Sequence, residues 1–453
     1  MEQLPDDMLA NVLGRLPPSS LAASRCVRKR WCSIIDARRL LRADLLPLRV
    51  EAFFCNSYIL FENSFLFACP SAARRIPGGH LDFFDDDDVS RVAMDHCNGL
   101  LLHYEMVVNP ATRQWATWPP RPQHLDNLCT SYNLCVSLVY DPMVSPNHYE
   151  VFLIPLLPPG CNDDDRRSSS GDDHRVLLQQ EWPPTPYTAF VFSSTKEWRW
   201  EERSFVRHCQ GAEAAETIAD MMHIESRRER KGVYFRRSLY VHCLNDSVMR
   251  LSLSDDKYQI IKPPAALAQN KTKTSDRYVS SYLGKSKKGV YSALVDLDGP
   301  QFRVWLLSEF SAGQTEWVLK CNVSLEAVVN FAVHNEKYGA DGPWIINDKK
   351  SSNREKETQP TAQEEEFAEW DFDNGAIIPQ TKGKDNWLHL IYFLGFHPYK
   401  EIAFLCISQT SVISYHLNSS KVQYLGTIDI PEMENGFLYT PCWMGELSEK
   451  NKA

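Results

Sequence analysis

Three adjacent pairs, His96-Cys97, His208-Cys209 and His242-Cys243, have the side chains best suited to chemistry. His and Cys bind zinc, but neighbours along a strand point to opposite faces, so one such pair does not chelate one ion. No H-x-x-x-H or H-E-x-x-H spacing accompanies them. Gly284-Lys285-Ser286 matches the end of a phosphate-binding loop, but that loop needs a second glycine where this chain has Val279. Neither a G-x-S-x-G elbow nor a G-x-G-x-x-G fingerprint occurs. Acidic residues are plentiful, but none is marked as half of a general acid/base pair. Glu197-Trp198-Arg199-Trp200-Glu201-Glu202 could stack a ligand; strand alternation favours packing instead. The reading is therefore no catalytic residue, no metal and no cofactor.

Charge narrows the partners. The 453 residues carry a formal net charge of −9, which disfavours general binding to nucleic acid. Bases are concentrated between Arg25 and Arg49, where they read as a solvated helical face opposite an apolar stripe. The longest apolar run, Leu388 to Phe396, is about half of what a membrane helix needs, so no membrane partner is expected. Met1 to Asp7 is acidic and has no apolar core, so no secretory signal is read. The 13 Cys are scattered without a C-x-x-C pair, which fits free thiols in the cytoplasm or nucleus.

Two kinds of element must position whatever function remains. Residues 1–46 read as a helical module. Asp6 and Asp7 suit the positive end of a helix dipole, and Met8, Leu9, Val12, Leu13 and Leu16 recur at helical spacing. Pro17-Pro18 stops that helix, and Leu21, Val27, Trp31, Ile34 and Ile35 continue a helical pattern. Such a short segment cannot enclose a core of its own, yet burying each large apolar side chain is worth roughly 1.5–3 kcal/mol. The helices must dock on something, either the rest of this chain or another protein.

Residues 47–446 read as β-structure, with 447–453 as a tail. A loose unit recurs: strand, polar turn, a Lys, Arg or Glu, and usually an aromatic. It appears as Asn109 to Trp115, Ser193 to Trp198, Ser254 to Tyr258, Ser311 to Trp317 and, in degenerate form, Asn418 to Val422. Blades of about 40–50 residues fit some intervals once and others twice. The expected fold class is α plus all-β, a small helical module followed by a β-propeller-like repeat domain of open blade number; a pair of β-sandwiches is the alternative. Segments 162–175 and 347–366 lack core-forming residues and read as disordered loops.

The residues also carry a resemblance. Leu4-Pro5-Asp6-Asp7-Met8-Leu9, Val12 to Pro17, Ser20-Leu21 and Arg25 to Trp31 resemble an F-box. Cys97-Asn98-Gly99-Leu100, Asn109 to Trp115, Glu181-Trp182-Pro183-Pro184, Gly395 to Glu401 and Tyr439-Thr440-Pro441-Cys442-Trp443 are similar to the F-box-associated β-domains of plants, grasses in particular. The resemblance implies a non-catalytic substrate receptor of an SCF-type ubiquitin ligase. Its helices would bind a Skp-family adaptor and, through it, cullin; its β-domain would hold an unidentified target protein. Carried over, the adaptor contacts are Leu4, Pro5, Leu9, Leu13, Leu16, Leu21, Val27 and Trp31. Arg28 departs from the cysteine common before the Lys, and the charged Ser226 to Gly232 and the segment 347–366 look irregular for the family. The rivals are a β-propeller enzyme and a non-ligase scaffold protein, the latter including a decayed copy of a receptor.

Overall fold

Short runs of Val, Ile, Leu, Phe and Tyr broken by Asn, Asp, Gly or basic pairs set the architecture, because such runs form strands and such breaks reverse them. The computed structural model describes residues 4–16, 21, 24–25, 27–38, 40, 50–57, 64–69, 76, 78–83, 92–122, 133–159, 161, 171–208, 216–222, 231–265, 267, 279–296, 300–310, 314–337, 342–347, 370–378, 391–428, 430, 433–443 and 447.

The chain opens with α1 (Asp6–Leu13) and α2 (Lys29–Ala37), and Leu21, Ser24 and Arg25 between them are also helical. A hairpin follows, of β1 (Ala52–Ser57) and β2 (Ser64–Ala68). Next comes a four-stranded meander, β3 (Asp95–Cys97), β4 (Leu100–Leu102), β5 (Met106–Asn109) and β6 (Gln114–Thr117). The second meander is β7 (Leu134–Tyr140), β8 (Tyr149–Pro155), β9 (Tyr187–Ser193) and β10 (Glu201–Arg207), with α3 (Gly171–Leu178) before its third strand. After α4 (Ile218–Met221) comes a third, β11 (Gly232–Phe235), β12 (Ser238–His242), β13 (Val248–Ser252) and β14 (Lys257–Ile261). The fourth is β15 (Val279–Ser286), β16 (Gly289–Asp296), β17 (Gln301–Glu309) and β18 (Thr315–Ser324). Then follow α5 (Glu326–Lys337), β19 (Ile345–Asn347) and β20 (Ala376–Ile377). The last meander is β21 (Ile391–Phe396), β22 (Ile402–Ile407), β23 (Ser411–His416) and β24 (Lys421–Thr427), and β25 (Met433–Tyr439) closes the series.

β25 pairs antiparallel with β1, setting Phe54 opposite Phe437 and Cys55 opposite Gly436, within a sheet ordered β19-β2-β1-β25. Late and early parts of the body thus share one sheet. The second and third meanders count as one eight-stranded sheet because β10 and β14 touch in a short parallel pairing, Val206 with Lys257 and Arg207 with Tyr258. The first strands of successive meanders also meet: β3 with β7, β7 with β11, β11 with β15, and β15 with β21, which in turn meets β25. His96 on β3 meets Phe437 on β25, ring centroids 5.4 Å apart.

The cores lie between sheets. One joins Phe53, Phe54 and Phe67 to Val108 of the first meander and to Phe404 and Val412 of the last. Others join the first meander to the second, the second to the third, and the fourth to the last. Strands sandwiched in this way are buried on both faces, as β1, β16 and β22 are throughout, and lose the usual alternation.

Every copy of the recurring sequence unit falls at one structural position, the turn from the third to the fourth strand of a meander. Each interval therefore holds one unit and never two; insertions such as the segment carrying α3 and that carrying α5 and β19 account for the uneven spacing. Two expectations for loops change. Residues 171–175 are helical, because Leu177 and Leu178 pack against the core of the second and third meanders and draw the segment onto it. Asn347 ends β19, an edge strand on β2, while 348–366 lie outside the described residues. The boundary expected at residue 46 also lies outside them, as do Ser226 to Arg230.

Candidate functional site

The helical module shows how far a short segment can go toward burying its own apolar residues. Pro5 precedes α1, Asp6 and Asp7 occupy its first turn, and Gly14 ends it. Leu9, Ala10 and Leu13 face inward onto Leu21, Ile34 and Ile35. Leu16, Trp31 and Leu40 close the edges of that cluster together with Trp443, which comes from the segment after β25. Arg25, itself buried, donates a hydrogen bond from Nη1 to the Trp443 carbonyl oxygen. One side of the module is thus fastened to the chain's own body.

Other apolar side chains of the module are exposed. Met8 is 55% exposed, Val12 50% and Val27 58%. Met8 and Val12 are four residues apart on α1 and share a face, with Pro5 exposed just before it. Two of the clustered bases tie the helices together at their ends. Arg30 donates to Asp6 Oδ1 from Nε at 3.0 Å and from Nη2 at 2.7 Å, and Arg38 pairs with Asp7. Their partners are acidic residues of this chain, so the base-rich helix is in part an interhelical clamp.

The structure divides the eight candidate adaptor contacts. Leu9, Leu13 and Leu21 are buried inside the module, Leu4, Leu16 and Trp31 are half-buried, and Pro5 and Val27 are exposed. Met8 and Val12 belonged to the periodic stripe, but their exposure was not foreseen. Positions 8, 9, 12, 13 and 16 have the spacing of an ordinary core-facing stripe, so the sequence carried no signal that two of them would be open.

The chemistry-bearing residues of the body serve mainly to shape it. Gly284-Lys285-Ser286 lies inside β15 rather than in a loop before a helix, so it is no phosphate cradle. The Cys97 thiol donates to the Tyr140 carbonyl oxygen at 3.3 Å, and burial keeps the neighbouring His96 neutral, its pKa lowered to about 3. Ser281 Oγ donates to Asp246 Oδ1 at 2.5 Å, and His242 Nε2 lies 3.5 Å from Ser281 Oγ and 3.4 Å from Asp246 Oδ1. Serine and carboxylate thus meet the same ring nitrogen, whereas nucleophile activation needs them on opposite nitrogens. Among the described residues no group of three or more His, Cys, Asp or Glu is placed to hold a metal ion. Trp200 packs on Trp118, centroids 5.6 Å apart, while Trp198 is exposed, which divides the tryptophan pair between packing and surface.

The motifs of the β-domain act as clasps. Asn98 and Gly99 form the tight β3–β4 turn with φ of 47° and 90°. A Cβ on Gly99 would lie 2.5 Å from Cys442 Cβ, so the turn admits the segment after β25 only with glycine there. Asn109 Nδ2 donates to the Cys442 carbonyl oxygen at 3.0 Å, binding the same segment. Buried His397 accepts at Nδ1 from the backbone N–H groups of Tyr399 and Lys400, at 3.3 and 3.2 Å, which shapes the turn after β21.

A helical module with exposed apolar side chains, followed by a large β-body, is the arrangement in which the comparisons fall into place. Residues 1–43 match the family described as F-box domain, so the chain carries an F-box domain ahead of its β-body. Its similarity is to plant F-box proteins. F-box protein At5g07610 of Arabidopsis thaliana is 30% identical over 166 residues, 33% of this chain and 37% of that protein. F-box protein At5g42460 of the same plant is 29% identical over 157 residues, 29% of this chain and 40% of that protein. The chain thus spans well under half the length of either relative.

Proposed function

We propose that this protein is a substrate-receptor subunit of an SCF-type ubiquitin ligase. The F-box domain docks on a Skp-family adaptor and reaches cullin through it, and the β-body holds a target protein. The observation that carries the reading is the coincidence of the F-box match with exposed apolar side chains, Met8 and Val12 on one face of α1, with Pro5 exposed before that helix and Val27 ahead of α2. Exposed apolar side chains at helical spacing are what a partner helix or groove engages. Leu9, Leu13 and Leu21 keep the module folded, and half-buried Trp31 packs against that cluster.

In this reading the β-body is a six-bladed propeller-like domain of the F-box-associated type. Its five meanders and the β19-β2-β1-β25 sheet are the blades, and the β25–β1 pairing is the closure. The receptor breaks and forms no bonds. It raises the effective concentration of its target beside the conjugating machinery, a gain that depends on geometry and not on reactive side chains. The contact of Trp443 with the module supports this role, because a receptor whose two parts are braced presents its cargo in a defined direction.

The test is co-purification with a Skp-family adaptor. The native chain is expected to retain the adaptor, and the double variant Met8→Asp/Val12→Asp to lose it. Truncating or charging a central apolar anchor typically costs 2 kcal/mol or more, about a thirtyfold loss of affinity. Undiminished binding by the double variant contradicts the reading.

A further inference from the structure

The first strands of the meanders, together with β25, surround a cavity of about 930 Å³, a volume suited to a small organic molecule. Much of its wall is apolar: Leu283, Tyr282 and Phe393 line it, the last two with ring centroids 5.3 Å apart, and Phe396 and Leu394 continue the surface.

The charges on this wall are mostly positive. Lys285 and Lys231 line the interior, and Arg236 and Lys287, on the β11–β12 and β15–β16 turns, line the same cavity. The Lys285 ammonium donates to the Tyr234 carbonyl oxygen at 2.9 Å and to Asn98 Oδ1 at 3.3 Å. Both acceptors are neutral, and an ammonium has three donors, so one remains. Among the described residues no carboxylate stands within ion-pair distance of Lys285. The carboxylates lining the cavity are Asp95 and Asp141. Asp95 is turned into the protein, where it accepts the Leu138 N–H at 2.8 Å, and burial raises its pKa to about 7. Asp141 accepts from the Met143 N–H at 3.0 Å and from the Tyr234 hydroxyl at 3.4 Å. Arg236 and Arg237 hold φ of 48° and 60° in their turn, a conformation that favours Asn and Gly, so two arginines are kept there against their conformational preference.

We propose that this cavity binds a small amphipathic oxyanion, an anionic group on an apolar or aromatic body, with the charge on Lys285 and the body against Tyr282 and Phe393. A partly buried ammonium with a spare donor is completed by an anionic oxygen, and charge-assisted bonds of this kind are about twice as strong as neutral ones. The apolar wall gains by covering the rest of the ligand. The proposal rests on the cavity and is independent of adaptor docking, so either can fail alone.

The test titrates the full-length protein with the fluorescent probe anilinonaphthalenesulfonate and with phenylnaphthylamine, which has the same rings without the sulfonate. The sulfonate is expected to saturate one site and to bind at least about tenfold more tightly than the neutral probe. Lys285→Met is expected to remove that difference, with phenylnaphthylamine still bound by the folded protein. In the unmodified protein octanoate is expected to displace the sulfonate probe and octanol at equal concentration to leave it bound. Equal affinity for the two probes, a Lys285→Met protein that keeps its preference for the anion, or displacement by octanoate and octanol alike overturns the proposal.

Discussion

Phe53 and Val12 mark the contrast between the two regions of the molecule. Phe53 is fully buried in the β-body, with Phe404 edge-on at 5.1 Å and Trp344 at 5.7 Å. Val12 lies on a helix of the small module, half in solvent, one turn from fully buried Leu9. In the body, sheet packs on sheet, and even an inserted segment contributes to the core: the Trp344 backbone N–H donates to the Leu425 carbonyl oxygen and its ring meets Phe53, Phe67 and Phe372. The module has two described helices and one anchoring tryptophan from the body, and Met8, Val12 and Val27 stay half or more exposed. An apolar side chain that folding does not bury is stabilised only by what later covers it.

The largest expected effect falls in the body. Phe53→Ala removes a ring from the contact of two sheets and is expected to cost about 3–5 kcal/mol in denaturant unfolding. A cost under 1 kcal/mol would mean that the sheets do not pack as described. Leu13→Ala is expected to cost about 2–5 kcal/mol of local stability in the module. Hydrogen exchange reads it: amides of α1 and α2 should speed up while those of β22 keep their protection. Equal acceleration in both regions would show that the Trp443 contact couples them into one unit.

Acid dependence separates two buried groups of the body. The His397 pKa is lowered by burial to about 3, so its contribution is present above 6.5 and is lost as pH falls toward 3. Burial raises the Asp95 pKa to about 7, so its contribution is present below 4 and is lost as pH rises through 7. The two oppose each other between pH 4 and 6.5. Asp95→Asn should therefore give a protein whose stability falls more steeply than the native chain's on acidification through that window, by up to about 1.4 kcal/mol per pH unit. Parallel stability curves would contradict the assignment. The smallest effect is expected for Arg30→Ala, which breaks a solvent-exposed pair with Asp6 and should cost about 0.2–1 kcal/mol in thermal unfolding. A loss above 2 kcal/mol would make the clamp, and not the Leu9–Ile35 cluster, the module's main support.

Local chemistry in the sequence was legible where a turn decides the structure. The turn-plus-aromatic unit at Trp115, Trp198, Tyr258 and Trp317 falls where a chain reverses, and Pro5 and Asp6 open the first helix, which ends at Gly14, ahead of the Pro17-Pro18 expected to stop it. What was not legible depends on contacts between distant residues. The helical stripe does not reveal that Leu9 is sealed and Val12 open, because Ile35, Leu21 and Trp443 decide it. Unit spacing could not count the sheets, since insertions lengthen intervals without adding a unit. The lysine-lined cavity was invisible for the same reason: Lys285 sat in a failed phosphate-loop match, and only the meeting of β11, β15, β21 and β25 gives it a shared wall with Lys231.

The central claim is that the open face of the helical module is kept for a Skp-family adaptor. Isothermal titration of that adaptor into the full-length protein, native and Met8→Asp/Val12→Asp, tests it most directly, with circular dichroism to show that α1 remains folded. A one-to-one complex that the double substitution weakens by thirtyfold or more, at unchanged helicity, is the expected result. Equal affinity for both proteins, or no heat of binding with the native chain, would contradict it.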